Sequence, residues 1–265
     1  MIMPKHVRSS FIIVNYKSAH HARQCIASLS QELSNDDEVI VVNNDHESIR
    51  VDGRGLSVRI IQREKNDGFA VAANAGARYA RGEILCFLNP DTIVQKFSPK
   101  EIAMLFARDK NLGIMGPCLL RADDTPQPWS VGQAPTLWRA VRNTLGWKWR
   151  QDIWKSTVPR EVAWVSGAAL CVPRKLFHTL GGFDENFFLY FEDVDLCMRA
   201  SAQGGKVLYN PKFLVKHWGG ASSSDPAKQK RQYYQSQDYY FKKYFGERSL
   251  KMLRLLRFLR HLVEY

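Results

Sequence analysis

Three groups in this chain have the residue types and spacing to do chemistry on a phosphorylated substrate. Asp91 follows the apolar run Ile84–Leu88 through Asn89-Pro90. The proline keeps the chain extended or in a turn, so the carboxylate projects past the end of a strand. A carboxylate placed there can hold a divalent cation against two phosphates, because such cations keep one or two protein ligands and complete their shell with water and phosphate oxygen. A plain turn-forming aspartate has the same local pattern. Glu192-Asp193-Val194-Asp195 follows the aromatic run Phe187-Phe188-Leu189-Tyr190-Phe191. Carboxylates at a helix start serve as caps, but one set against an apolar wall loses solvation, rises in pKa and becomes a better general base toward a hydroxyl. Adjacent Glu192 and Asp193 are equivalent on that ground. His217 sits in Val215-Lys216-His217-Trp218-Gly219-Gly220; the glycines suit close approach to a phosphate or metal, and a structural histidine fits the same pattern.

These groups need a scaffold that brings them together, and the apolar periodicity supplies one. Phe11–Asn15, the unalternating run around Val39–Val42, Val58–Gln62 and Ile84–Leu88 read as strands, those without alternation being covered on both faces. Ala22, Ile26 and Leu29 lie at helical spacing, and the alanine-rich stretch from Gly68 to Ala80 is a helix stopped at Arg81-Gly82. Alternating strand and helix predicts an α/β fold with an open, mostly parallel sheet and helices on both faces, which binds ligands beyond the carboxyl ends of its strands. Those ends carry Asn15-Tyr16, Asn43-Asn44-Asp45 and Asn89-Pro90-Asp91. Further on, Ser98–Arg108 and Val194–Ala202 read as helices, Trp164–Val172 and Lys206–Tyr209 as strands, and residues 121–160 as a loop-rich insertion.

The net charge of +12 over 265 residues is not spread evenly. Residues 1–134 carry 16 basic and 15 acidic side chains and residues 161–225 carry 6 and 7, whereas residues 135–160 carry 6 and 1 and residues 226–265 carry 10 and 3. A neutral body with two basic segments points to an anionic surface as partner, either membrane or nucleic acid. The five cysteines are widely spaced and lie mostly in apolar runs, which reads as buried thiols in a reducing compartment. There is no signal-peptide core and no run of about eighteen apolar residues, so a cytoplasmic location is expected.

Taken in order, Val14-Asn15-Tyr16, Asn66-Asp67-Gly68-Phe69 with Asn74 and Gly76, Asn89-Pro90-Asp91, Trp164-Val165-Ser166-Gly167, Gly181-Gly182-Phe183-Asp184-Glu185, Phe191-Glu192-Asp193-Val194-Asp195 and His217-Trp218-Gly219-Gly220 resemble the family 2 glycosyltransferases. The resemblance covers about residues 10–222 and is closest to the rhamnosyltransferase-like members that build bacterial surface polysaccharides. It implies a GT-A fold and inverting transfer of a single hexose, L-rhamnose from dTDP-rhamnose or a hexose from a UDP donor, onto a lipid-linked or oligosaccharide acceptor. It also implies Mg²⁺ or Mn²⁺ as cofactor, held by Asp91 and His217, with Asp193 as base and Glu192 as the competing assignment. The donor residues it implies are Asn15, Tyr16, Asn43, Asp45, Asn66, Gly68, Asn74, Asn89 and Asp91; those on the acceptor side are Trp164, Gly167 and Asp184. Asn43 stands where the family commonly has aspartate, and Asn89 replaces the first aspartate of the metal motif, so the diphosphate must supply more of the metal's binding.

The expected division is a catalytic domain over residues 1–225, with residues 121–160 as a Trp/Arg-rich insertion, and a basic amphipathic helical extension over residues 226–265. Met252, Leu255, Leu256, Leu259, Leu262 and Val263 share one helical face flanked by Lys251, Arg254, Arg257 and Arg260. That arrangement suits shallow attachment of residues 248–265 to the inner face of an anionic membrane, and it equally suits packing on the protein. Trp138, Trp147, Trp149 and Trp154 among basic residues mark the insertion as either membrane-adjacent or an acceptor-site lid. A non-catalytic binder of nucleic acid or membrane is the reading of a different class; no nucleic-acid module signature accompanies it. A nucleotidyltransferase would want a glycine- and basic-rich loop after the first strand, which Asn15-Tyr16-Lys17-Ser18 is not.

Overall fold

The structure is a computed structural model that describes residues 8–53, 55–144, 152–219 and 225–263. The elements run β1 (Ser9–Asn15), α1 (Ala19–Leu29), β2 (Asp37–Asn43), β3 (Ser57–Gln62), α2 (Phe69–Tyr79), β4 (Ile84–Leu88), β5 (Thr92–Lys96), α3 (Pro99–Arg108), β6 (Leu112–Leu120), β7 (Val131–Gly132), α4 (Leu137–Thr144), β8 (Arg160–Glu161), β9 (Trp164–Val165), β10 (Ala169–Pro173), α5 (Arg174–Thr179), α6 (Glu192–Ala202), β11 (Lys206–His217) and α7 (Pro226–Val263).

The main sheet has the order β3-β2-β1-β4-β10-β6-β11-β5, with β8 added against β11. The first four strands are parallel, β10 runs antiparallel to β4 and β6, and β11 is parallel to β6 but antiparallel to β5. Every residue of β1, β2 and β4 is buried, as strands covered on both faces require. Because side chains alternate along a strand, the same strands feed two cores. Ile12, Val14, Ile40 and Val42 pack with the alanines of α2, while Phe11, Ile13, Val39 and Val41 pack with Cys25, Ile26 and Leu29 of α1. All five cysteines are free and buried.

Three departures from the sequence reading matter for the site. The segment read as one strand from Trp164 to Val172 is β9 and β10 separated by a turn at Ser166–Ala168, and that turn faces the end of β4. The short strand read at Lys206–Tyr209 continues to His217, irregular in register between Asn210 and Leu214. The carboxyl-terminal helix is broken at Gly246 (φ 78°, ψ 176°) and folds back on itself: Lys242 meets Glu247, Asp238 meets Arg254, and Gln237 meets Arg257. Its first arm is not a detached extension, because Tyr240 and Phe241 share a buried cluster with Phe187, Phe191 and Val194.

Within the insertion, Trp154 is buried at 8% exposure, its ring 5.2 Å from that of Trp129 and its carbonyl accepting from the Tyr209 hydroxyl. It is therefore a core residue and not a membrane anchor. Trp138 is 63% exposed, and Trp147 and Trp149 lie outside the described residues. No described helix is long and apolar enough to cross a membrane.

Candidate active site

Strand register builds the first half of the site. β5 leaves the Asn89-Pro90-Asp91 turn, which is closed by the Thr92 hydroxyl donating to the Asn89 carbonyl at 2.8 Å. β5 then pairs antiparallel with the end of β11 so that His217 lies opposite Thr92. The Trp218 amide donates to the Asp91 carbonyl at 3.1 Å, and His217 Nε2 comes 3.4 Å from Asp91 Oδ1. Asp91 is 5% exposed and the imidazole 11%. A slip of one residue would turn His217 to the other face of the sheet.

The imidazole is also oriented. Its Nδ1 lies 3.0 Å from Gln127 Oε1, an acceptor, so in the neutral ring Nδ1 carries the hydrogen. Nε2 is left with its lone pair, and the Asn89 amide lies 3.3 Å from it. A neutral ring with Nε2 unprotonated and Nδ1–H bonded to an oxygen is the form that ligates metals. Among the described residues no group of three or more His, Cys, Asp and Glu side chains could hold an ion. One carboxylate with one imidazole is a partial shell, and it fits a divalent cation that takes its other ligands from a diphosphate and water. Gln127 lies in a loop with no motif around it, and no sequence signal marks it.

The second half is the turn Ser166–Ala168 with the start of α6. Two consecutive non-glycine residues before α6, Tyr190 (φ 72°) and Phe191 (φ 67°), are left-handed, a conformation that persists only where its surroundings enforce it. The first arm of α7 provides that enforcement. The Ser236 hydroxyl donates to the Leu189 carbonyl at 2.7 Å, and the Phe191 ring packs on Tyr233 and Tyr240. In consequence Glu192 and Asp193 face different ways. Glu192 is buried at 5% exposure, and its Oε2 has no hydrogen-bond partner among the described residues. Burial first, then the neighbouring Asp193 charge, push its pKa well above the usual carboxylate range. Asp193 is only half-buried. Burial raises its pKa too, opposed by the Gly167 and Val194 amides, which donate to Oδ2 and Oδ1 at 2.7 Å each. A Cβ at position 167 would lie 3.3 Å from Asp193 Cβ, so glycine lets the turn close on the carboxylate. The next residue ties the halves together, the Ala168 carbonyl accepting from the Asn89 amide at 2.9 Å.

Near the carboxyl ends of β1 and β2 the asparagines form a network. Asn15 donates to Asn43 at 2.6 Å, Asn43 to Gln62 at 2.7 Å, and Asn44 to Asn66 at 2.7 Å, while Asn66 also accepts from the Gly68 amide. Gly68 has φ 97°, and a Cβ there would fall 2.5 Å from the Phe188 carbonyl oxygen. Tyr16, Asp45 and Asn66 remain half-buried, within reach of a ligand.

Several expected contacts prove to be structural. Asn43 is 0% exposed, with both amide hydrogens committed to the Glu47 carbonyl and Gln62; with Asn15, 1% exposed, it supports the crevice from below. Asn74 donates to the Phe183 carbonyl and Glu185 and accepts from the Phe183 amide, so it clamps the glycine-rich loop and has no amide hydrogen left for a donor. Asp184 is taken up by α7, accepting from Lys243 at 2.7 Å and Tyr239 at 3.0 Å, instead of facing an acceptor. Trp164 donates to the Gln133 carbonyl and packs over Gly132.

The match to known proteins agrees with this architecture. Residues 10–162 match the Glycosyl transferase family 2. The N-acetylglucosaminyl-diphospho-decaprenol L-rhamnosyltransferase of Mycobacterium tuberculosis is 29% identical over 244 residues, covering 82% of this chain and 78% of that protein. Rhamnosyltransferase WbbL of Escherichia coli is 29% identical over 162 residues, 58% of this chain and 59% of its own. Among solved structures, a mannosyltransferase from Pyrobaculum calidifontis in complex with GDP-Man and Mn²⁺ superimposes with a TM-score of 0.58 at 17% identity, covering 98% of this chain and 71% of its own. GalNAc-T7 gives 0.58 at 18% over 90% of this chain, which spans half the length of that one; at such identities the likeness is one of fold. With a parallel half-sheet, a crossing antiparallel strand and carboxylates gathered at the strand ends, the chain belongs to glycosyl transferase family 2 and is a glycosyltransferase of the GT-A fold.

Proposed function

We propose that the chain transfers a single L-rhamnose from dTDP-rhamnose, with inversion, to a hydroxyl of a lipid-linked or oligosaccharide acceptor during assembly of a cell-surface polysaccharide, working on the cytoplasmic side of the membrane. The carrying observation is that the Asp91–His217 pair and the Asp193 carboxylate belong to loops joined by the hydrogen bond from Asn89 to Ala168. The names of the M. tuberculosis and E. coli relatives support rhamnose, and the former name supports a lipid-diphosphate acceptor.

In this reading Asp91 and His217 would hold Mg²⁺ or Mn²⁺, and Tyr16, Asp45, Asn66 and the Gly68 backbone would line the donor. When bound, such an ion would supply charge neutralisation for the departing nucleoside diphosphate. Asp193 takes the proton of the acceptor hydroxyl at a carboxylate oxygen as that hydroxyl attacks the anomeric carbon. The two amides at 2.7 Å hold the carboxylate in place, and burial makes it more basic than a free aspartate.

Calorimetry with nucleoside diphosphates, with and without Mn²⁺, tests this. Binding of a diphosphate should require the metal and disappear in Asp91→Ala; no binding by the native protein would sink the reading. Asp193→Asn should bind donor normally and transfer nothing, and transfer that survives would remove Asp193 as base. A panel of dTDP and UDP sugars read by donor hydrolysis separates rhamnose from a UDP-hexose.

A further inference from the structure

Past Gly246 the second arm of α7 has two unlike faces. Leu250 and Leu253 are buried at 4% and 3% exposure, Leu253 in the cluster of Tyr240 and Phe241. On the same side the Arg257 guanidinium lies 4.5 Å from the Tyr234 ring centre. The other side is open: Met252, Leu255, Phe258 and Leu259 are 45%, 49%, 60% and 44% exposed. Met252, Leu255 and Leu259 lie open as the sequence reading expects, but Leu256, expected beside them, is half-buried, and Phe258 takes its place on the open side; the side chains of Arg260, Leu262 and Val263 lie outside the described residues. At about 100° per residue the four exposed apolar side chains span about 120°, and Arg248 and Lys251, both exposed, fall inside that arc. Glu247 lies beyond its edge and is paired with Lys242.

We propose that this face seats on an anionic lipid surface, its apolar side chains entering the headgroup layer with Arg248 and Lys251 among the lipid phosphates. A second copy of the chain is the rival occupant. A two-fold contact through the arc would bury Arg248 and Lys251 of both copies, four cations, with no described acidic side chain in the arc to pair them. Anionic headgroups supply that charge. The neighbouring helix carries the same chemistry: α4 packs beside α7 through Leu137 and Ala140 and holds Trp138 and Arg139 exposed on its outer side, an aromatic and basic pair suited to the membrane–water boundary. The proposal deepens the reading above by naming the surface on which a lipid-linked acceptor is presented, and rests on it only for that purpose.

The test is co-sedimentation of the full chain with extruded vesicles of phosphatidylglycerol and phosphatidylcholine, against vesicles of phosphatidylcholine alone. Binding should need the anionic lipid, weaken with added salt, and fall at least ten-fold in Leu255→Glu/Phe258→Glu. Arg248→Glu/Lys251→Glu leaves the apolar arc intact and should lose the same preference, which keeps the test valid if the first variant does not fold. Equal binding to both vesicle types, or wild-type binding by both variants, overturns the proposal. So does a native dimer in sedimentation velocity that either variant splits, because the face is then a contact between copies. The vesicles contain no acceptor, and diphosphate binding is measured on the same samples. Failure of the lipid contact and failure of the glycosyltransfer reading are therefore separate results.

Discussion

Replacing Lys243 with methionine removes the ammonium that ties the glycine-rich loop to the start of α6. Its Nζ lies 2.7 Å from Asp184 Oδ2 and 2.5 Å from Asp195 Oδ1, with Asp184 15% and Asp195 0% exposed. Breaking a fully buried ion pair on one side costs about 3–5 kcal/mol. Here the loss is smaller, because Asp195 keeps Arg199 at 2.7 Å and the Tyr244 hydroxyl at 2.8 Å, and Lys243 itself is 28% exposed. The Asp184 side gives an independent figure. Against the cost of its own burial, Lys243, Asn186 and Tyr239 together bring its pKa down to about 2 from 3.8, and the share of Lys243, discounted for solvent screening, is about 1–2 kcal/mol at neutral pH.

At about 2–4 °C per kcal/mol for a chain of this size, Lys243→Met should melt about 2–8 °C below the native protein at pH 7. The sign with pH follows from both partners. A depressed carboxylate contributes fully above its unfolded pKa and loses that contribution as pH falls through its folded pKa, so the gap between the two proteins should narrow from about pH 4 toward pH 2. The Lys243 pKa is raised by Asp184 and Asp195 against desolvation, so its contribution is complete below the unfolded lysine value and fades as pH rises through the higher folded one. Differential scanning calorimetry of both proteins across this range is the assay. A gap under about 1 °C at pH 7, or one that does not narrow in acid, refutes the argument. Steady-state kinetics on the same variant should show a lower kcat with donor KM unchanged, because the first turn of α6 carries Asp193, the base proposed above.

Two further outcomes follow from single contacts. Gly167→Ala puts a methyl 3.3 Å from Asp193 Cβ, tighter than ordinary packing, so Asp193, the proposed base, must shift by a few tenths of an ångström; kcat should fall about ten-fold without change in donor affinity, and unchanged kcat would show that the Gly167–Asp193 contact does not position a base. Gln127→Leu removes the acceptor of the His217 Nδ1 hydrogen and should weaken Mn²⁺-dependent diphosphate binding about 10–100-fold by calorimetry, whereas native affinity would mean that the ring is oriented by something else.

Much of the first hundred residues was legible because parallel strands covered on both faces must be continuously apolar, as Val39–Val42 and Ile84–Leu88 are. The second half was harder to read. β6 was not recognised because Gly113, Gly116 and Pro117 interrupt its pattern, and Gly116 makes sense only once Val165 is seen packed over it, where a Cβ would fall 2.6 Å away. β5 is five residues long and its identity as a strand depends on β11. The break at Gly246 was missed because the apolar spacing continues on both sides of it.

The amino-acid sequence alone determined the fold class, the strand-end position of Asp91 and the presence of two carboxylates ahead of a helix, since these depend on local periodicity and on turn residues a few positions apart. The tertiary structure decided what depends on contacts between distant segments. Register between β5 and β11 carries His217 to Asp91, the left-handed pair Tyr190-Phe191 turns Glu192 inward and leaves Asp193 accessible, and packing of the hairpin buries Leu250 and Leu253 while leaving Leu255 and Phe258 open. Each is a choice between faces of one element, and a face is selected only when the partner that covers it is in place.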